Sequence, residues 1–576
     1  MTTFYRGVLS QWEIAQVPAG FSLGTDIPDS IQRALYRRQV YTREALEQFL
    51  HPNADHLPDI HLLHEVDKAL ELLHAAIERG DFIYVVGDYD VDGTTSAALI
   101  GSFLQALGHQ NFFLHLPDRF KEGYGVSDLA VDNAIAKGAG LFIAVDCGTK
   151  DILRLRRLKA AGIRTIVIDH HVVGETDELP PADAFVNPQR PDSKYPNPYP
   201  SAGALTYRLL QAYRGIYGKP EEWEGIDLAA ISILADIMPL VGENRLIVQL
   251  GLKHLQLAPR PGLSALAEKA GLSLSSITRS RSVVFQLVPR LNAPGRLKSP
   301  RYSLYLLLAR QRDKQLEKVA TYIENLNAYR QKLQEMAFQE ALMLLEREYS
   351  GLVGGAVVPP PALVVASPDW NKGVIGLVAA KLVERFYRPA VVFTGRGDIL
   401  VGSARSPAEV PLYHVLSSCC KPFVIRFGGH DKAAGLSIRR QDLGAFTRAF
   451  QAGCAAYGEN LVPKGVIDAI ITPDELKKDQ LAQWSERFEP IGPHNEAPRF
   501  LLKGLTFYPE NGRWYFAHGS AALYDAWAED TNTERLWQFL RHCVGQSLSL
   551  VVTPRLSAKG STILRLRDVL LDDPNP

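Results

Sequence analysis

Apolar runs of strand length that alternate with helix-like segments predict an α/β protein. Three observations set out its plan. From residue 82, short β-rich runs alternate with helical ones, the pattern of a parallel sheet covered by helices. Residues 301–350 contain neither Gly nor Pro and carry apolar residues at helical spacing. From about residue 464 the chain reads as short strands, which suggests a small β-barrel. The expected architecture is therefore a parallel-sheet α/β domain, a long helix, a second α/β domain and a C-terminal barrel.

Each element has its own warrant. Residues 1–80 are mostly helical in pattern and rich in His and Leu; they are expected to pack on the α/β domain that follows. In the first α/β domain, 81–300, Phe82 to Gly87, Leu141 to Val145 and Arg164 to Ile168 are strand-like. Ser96 to Leu107 and the charged run DILRLRRLKAAG have helical character. In 301–350, Leu316, Val319, Ile323, Leu326 and Leu333 fall at steps of three and four, interrupted by Arg330. A connecting helix packed on its neighbours explains this better than a coiled-coil dimer. GGAVVPPPALVV resets the chain, and 351–463 reads as the second α/β domain. In 464–576 the runs GVIDAIIT, RFLLKGLTFY, RWYFAHGS, SLSLVVTP and STILRLRDVLL are the barrel candidates.

Composition narrows the function classes. At 576 residues, 46% hydrophobic and 22% charged, the chain has the make-up of a globular protein of several domains. No apolar run reaches the roughly 18 residues of a membrane span, and MTTFYRGVLSQWEIAQ is not expected to be a signal peptide. Cys147, Cys419, Cys420, Cys454 and Cys543 form no CxxC pair and no zinc spacing, which fits a reducing cytoplasm. Lys+Arg and Asp+Glu balance at 63 each, so any nucleic-acid footprint must be local.

The chemistry concentrates in VVGDYDVDGTTS. Asp88, Asp90, Asp92 and Gly93 match the start of an EF-hand loop, but its last ligand position is Leu99 and a strand, not a helix, precedes it. The calcium reading fails. Instead, three strand-like runs end in aspartate, at Asp88, Asp146 and Asp169, the last followed by His170 and His171. An aspartate after a strand is commonly a helix cap. Three of them, in a sheet that binds ligands beyond the carboxyl ends of its strands, are not readily dismissed as caps. Hard oxygen ligands plus an imidazole suit Mg²⁺ or Mn²⁺. Several carboxylates imply more than one ion, and two metals about 4 Å apart clamp an in-line attack on phosphorus. The residues alone thus reach a two-metal phosphoesterase.

DYDVDG, VDCGT and VIDHHV resemble the ordered motifs of the DHH phosphoesterase family, and AISILADIMPL resembles the fourth, with Asp236 as its acid. RLNAPGRL, SPDWNKGVIGLVAAKL and RFGGHDKAAGLSI resemble segments of that family's single-strand-specific DNA exonucleases. The GGH segment belongs to the DHHA1-type domain that accompanies the DHH domain. EPIGPHNEAPRF resembles the approach to an oligonucleotide-binding barrel, so the C-terminal domain is expected to be OB-like. The resemblance implies that Asp90 and Asp92 hold separate metals, Asp146 bridges both, and His170 and Asp236 complete the coordination of the second metal. It implies that Asp169 orients a histidine, that His171 faces phosphate, and that Asp88 helps hold the first metal or its water. Asn292, Arg296, Asn371, Gly428, Gly429 and His430 are the implied substrate-binding set. The implied cofactors are two Mn²⁺ or Mg²⁺ ions. The implied activity is 5′→3′ digestion of single-stranded DNA to mononucleotides in recombination and repair, by a cytoplasmic monomer working with single-strand-binding protein and a helicase. Two residues depart from the family pattern. Val86 stands where many relatives have a metal-binding histidine, leaving the first metal one ligand short, and Asn371 stands where a histidine is often found.

Other features keep bland readings beside sharp ones. His414 and His494 suit surface or cap positions, and Cys147 suits packing. Arg279, Arg281, Arg290, Arg296, Lys298 and Arg301 form either a solvated basic face or a DNA track. Phe507, Tyr508, Trp514, Tyr515 and Phe516 include candidates for base stacking, but strand alternation sends about half of them to the core. Two rival functions stay open: a DHH phosphodiesterase for short oligonucleotides or cyclic dinucleotides, and a non-catalytic DNA-binding scaffold.

Overall fold

The computed structural model describes residues 4–174, 178–458, 461–476, 479–510, 513–517, 523–527, 530–557 and 559–571. Five strands lie side by side and parallel in the order Phe112–His115, Ile83–Val86, Leu141–Val145, Arg164–Ile168, Ala184–Val186. They are apolar on both faces because helices cover both. Ile83, Val85, Ile143 and Ile166 pack towards the helices Val66–Glu78, Val91–Ala106 and Ala202–Tyr217. Tyr84, Val86, Phe142 and Val167 pack towards Asp128–Ala136 and Ile152–Ala160. The strand order reverses between Ile83–Val86 and Leu141–Val145, so a crevice opens at their carboxyl ends. Gly93 allows the helix Val91–Ala106 to begin hard against that crevice: a Cβ there would strike the backbone of Asp88.

The helical run expected over 301–350 is two helices, Arg301–Leu308 and Lys314–Glu348. Absence of Gly and Pro does not make a helix continuous when a cap intervenes. Asp313 accepts a hydrogen bond from Leu316 N–H at 2.7 Å and starts the second helix afresh. The long helix connects two bodies. Leu316, Val319 and Ile323 join the core of the first domain, while Ala337, Phe338, Ala341 and Leu345 join that of the second.

The second domain carries a sheet in the order Val424–His430, Ala433–Arg439, Ile399–Arg405, Ala390–Thr394, Leu363–Ala366. Only the last pair is parallel among these described strands. In the C-terminal domain, Phe500–Glu510, Arg513–Ala517, Leu523–Trp527, Thr562–Leu570 and Ser547–Leu556 pair in that order. Ser547–Leu556 pairs back on Phe500–Glu510, so the five strands close on themselves. Leu502, Leu505, Phe507, Phe516, Leu550 and Leu564 fill the interior.

The N-terminal region departs from expectation. Residues 60–78 do pack on the first domain, but Leu23, Ile27, Ile31, Leu35 and Phe49 share the core of the C-terminal domain instead. The strand Gln11–Ile14 runs parallel to Lys464–Ile467. Asp568, on the barrel, accepts from the N–H groups of Leu9 (3.0 Å) and Ser10 (2.9 Å) and from Trp12 Nε1 (2.8 Å). The apolar face of the helix Asp29–Arg37 needs a cover, and the barrel supplies it.

Candidate metal centre

The crevice at the strand reversal collects the predicted acids. Asp90 caps the helix Val91–Ala106 through Gly93 N–H at 3.1 Å, which puts Asp92 in its first turn. Asp146 leaves its strand with φ 58, a left-handed conformation that aspartate tolerates better than most side chains. Asp236 ends the helix Ile226–Ala235. His170 Nε2 lies 3.3 Å from Asp146 Oδ1, 3.5 Å from Asp92 Oδ2 and 3.6 Å from Asp236 Oδ2. Asp88, Asp90 and Asp146 each offer an oxygen within 4.8 Å of the others, and Asp92, His170 and Asp236 form a second such group. Asp146, His170 and His171 make a third.

Burial sets the electrostatics of this cluster. Burial, then repulsion from neighbouring aspartates, pushes the carboxyls of Asp88, Asp90, Asp146 and Asp236 above their ordinary range. Burial also lowers the pKa of His170, which favours the neutral ring that binds metals. The Oδ1 atom of Asp88 is buried with no hydrogen-bond partner, an expensive state unless a cation meets it. Asp92 is held from behind: its oxygens accept from Ala202 N–H (2.9 Å) and Gly203 N–H (2.8 Å) at a helix N-terminus, and from Ser232 Oγ. A donor set dominated by carboxylate oxygens, with imidazole in the minority, fits Mn²⁺ or Mg²⁺.

Asp169 faces a different task. Its carboxylate accepts from Thr149 Oγ1 (2.6 Å), Thr149 N–H (3.1 Å) and His170 N–H (2.8 Å), and pairs with His171 Nδ1 at 2.7 Å. Burial opposes charge on both partners. Their mutual attraction prevails, holding Asp169 far below the usual carboxylate range and raising His171 to about 9. The His171 ring also meets the Tyr124 hydroxyl at 2.9 Å from Nε2 and stacks at 6.1 Å on His430 from the second domain. The two α/β domains therefore face one another across the cluster.

Arg296 reaches the cleft because Gly295 packs where a Cβ would strike the Tyr89 carbonyl. Asn292 sits one turn earlier on the same face of Val288–Leu297. Burial, then Arg119, Arg405 and Arg330, pushes Arg296 down to about 10. Among the described residues no carboxylate forms an ion pair with any of these four arginines. Arg119, Tyr124, Arg405 and Thr149 escaped sequence reasoning. The first two lie in DRFKEGYG, which follows the strand Phe112–His115 much as the motif acids follow theirs. Asn371 is engaged locally, accepting from Gly373 N–H at 2.8 Å. Gly428 and Gly429 lead to His430, and a Cβ at Gly429 would strike Ala433 and Ala434.

Two expectations change. The basic stretch is no continuous track: Arg279 pairs with Glu486 at 3.2 Å and Arg290 with Glu324 at 2.5 Å, leaving Arg296 to the cleft. Val86 does not border the cluster as an open ligand position; it is wholly buried with Tyr84, Phe142 and Ala144. Asp88 joins the first group instead.

The fold and this cluster define a DHH phosphoesterase: residues 82–235 match the DHH family, N-terminal domain, and residues 360–456 match the DHHA1 domain. Within that class the chain belongs to the RecJ family. The single-stranded-DNA-specific exonuclease RecJ of Bacillus subtilis (strain 168) is 34% identical over 476 residues, 82% of this chain and 58% of the relative's length. That of Dickeya dadantii (strain 3937) is 33% identical over 492 residues, covering 82% and 83%. The crystal structure of RecJ in complex with Mn²⁺ from Thermus thermophilus matches with a TM-score of 0.81 at 26% identity, over 98% of this chain and 80% of that one. No helix among the described residues is long and apolar enough to cross a membrane.

Proposed function

We propose that this chain is a metal-dependent exonuclease that digests single-stranded DNA 5′→3′ to 5′-mononucleotides in recombination and repair. The observation that carries the reading is the convergence of five aspartates and His170 at one sheet edge, with Asp88 Oδ1 buried and unpartnered. Asp88, Asp90 and Asp146 would hold one cation and Asp92, His170 and Asp236 the other, and Asp146, which lies 3.3 Å from His170, would serve both groups. Bound there, two Mn²⁺ or Mg²⁺ ions supply the Lewis-acid charge for in-line displacement at phosphorus. His171, oriented by Asp169 through Nδ1, faces the phosphate together with His430. Arg296, with Arg119 and Arg405 nearby, offers planar donor forks to the phosphates of the strand. Asn292, Asn371, Gly428 and Gly429 line the approach. The C-terminal barrel is read as an OB-like single-strand platform, joined through the long helix and the DHHA1 domain to the DHH domain.

The test is hydrolysis of labelled single- and double-stranded DNA with either end blocked, with and without chelator. Mononucleotide release from an open 5′ end of a single strand, abolished by EDTA, is expected. Preference for dinucleotides would favour the short-oligonucleotide rival, and binding without cleavage the scaffold. The barrel and long helix support a long substrate, and the full set of metal donors supports catalysis. Family membership supports a cytoplasmic monomer acting with single-strand-binding protein and a helicase. Co-purification and light scattering test those assignments.

A further inference from the structure

Directly after Asp236 the chain turns through Ile237 with φ 57. This residue lies just past the helix Ile226–Ala235, and Met238 N–H donates back to the Ile233 carbonyl at 3.1 Å. Such a helix ending favours glycine, and a β-branched side chain in the left-handed region is a genuine outlier. Burial does not compensate. Ile237 is 67% exposed, whereas Leu240 is buried and Met238 packs against the core of the domain. A large apolar side chain thus stands strained and hydrated one residue from the carboxylate that meets His170 at 3.6 Å. Backbone strain of this kind clusters at functional sites.

We infer that Ile237 is a substrate-contact residue, whose aliphatic side chain packs against the nucleobase carried by the phosphate at the metal centre. The inference rests on the exonuclease reading above. Isoleucine has no donor for a phosphate or a base edge, so its contact is with the apolar face that every base presents. Isoleucine is also among the side chains that proteins wedge against base steps. A contact blind to base identity suits an enzyme that must accept each nucleotide in turn.

Ile237→Gly and Ile237→Asn relieve the backbone and remove the apolar surface; Ile237→Leu keeps the surface. Without metal, the glycine and asparagine variants should melt higher, by about 1–4 °C. Their kcat/KM on a single-stranded oligonucleotide should fall about 10-fold, the scale of one base contact, and leucine should restore most of it. A second substrate lacking the base on its 5′-terminal nucleotide separates this contact from a disturbance of Asp236. Wild type should lose rate on it, and the glycine variant should lose no more. A glycine variant that melts higher yet keeps the wild-type kcat/KM would make Ile237 a helix terminator only. Equal losses on the intact and abasic substrates would assign the effect to Asp236 and overturn the inference. Failure of wild type to cut either substrate would bring down the exonuclease reading itself.

Discussion

At the scale of single residues, the cluster is organised by unfavourable charge. Asp146 is buried among Asp92, Asp90, Asp88 and Asp236, and its carboxyl is held well above the ordinary range by burial and then by these neighbours. An acid with a raised folded pKa costs stability as pH rises from its unfolded value of about 3.9 towards the folded one. Asp146→Asn, which suits the left-handed backbone, should therefore leave the metal-free melting temperature at pH 8 unchanged or higher. Cleavage should fall by at least about 10³-fold, as removal of several kcal/mol of transition-state stabilisation requires. Calorimetry in EDTA and single-strand digestion check the two halves. Asp169 and His171 behave oppositely. The depressed Asp169 contributes stability above about pH 3.9 and loses it as pH falls; His171 contributes fully below about pH 6.5 and loses it as pH rises through about 9. Asp169→Asn should bring the titration of His171 in metal-free protein down from about 9, read from its ring resonances. An unmoved titration would mean that Asp169 does not govern this histidine.

At the scale of elements, strand alternation decides which aromatics are available to DNA. Tyr508 and Tyr515 face each other across the pair Phe500–Glu510 and Arg513–Ala517, as do Phe507 and Phe516. Phe507, Phe516 and Trp514 enter the barrel core; Tyr508 is 46% exposed and Tyr515 half-buried. Replacing both tyrosines by alanine should weaken binding of a long single strand by about 1–3 kcal/mol for each base that stacks. Turnover of the shortest oligonucleotides should be unaffected. Anisotropy titrations with oligonucleotides of increasing length would expose a uniform loss, which would deny these rings a stacking role. The long helix follows the same logic. Its apolar steps were legible, and Arg330 interrupts them because its guanidinium turns to Asn327 (2.7 Å) and Gln334 (2.9 Å). The break before Asp313 was not legible, since a cap depends on where the following turn begins.

At the scale of the molecule, two arginine junctions tie the barrel to the rest. Arg245, from the helix Gly242–Leu257 of the first domain, donates to the carbonyls of Phe488 (3.0 Å), Glu489 (3.0 Å) and Pro490 (3.2 Å) and lies 3.7 Å over the Phe49 ring. Asp468, fully buried, pairs with Arg37 at 2.6 Å and Arg38 at 3.0 Å. Burial opposes its charge, but Arg38 and then Arg37 hold its pKa below the usual range, so its contribution is present above about pH 3.9 and fades in acid. Asp468→Asn leaves Arg38 buried without its carboxylate and should cost about 3–5 kcal/mol. Limited proteolysis should then cut residues 4–50 first, and a digestion pattern like that of wild type would contradict the junction. A simple truncation at residue 464 is a poor test of the barrel, because Leu23, Ile27, Ile31 and Leu35 would lose the core they share with it.

The sequence by itself determined the α/β class, the parallel sheet, the acids at its strand ends and the family to which they belong. Those are properties of local periodicity and of short motifs, each written in consecutive residues. Only the tertiary structure brings Asp92, His170 and Asp236 within reach of one another, because they come from three separate elements and meet through packing. It also decided that Arg119 and Arg405 join Arg296, and that residues 4–50 lie against the barrel. An isolated arginine or an amphipathic helix carries no record of its distant partner. Burial, which closes the apolar face and concentrates the charge, exists only once the chain has folded.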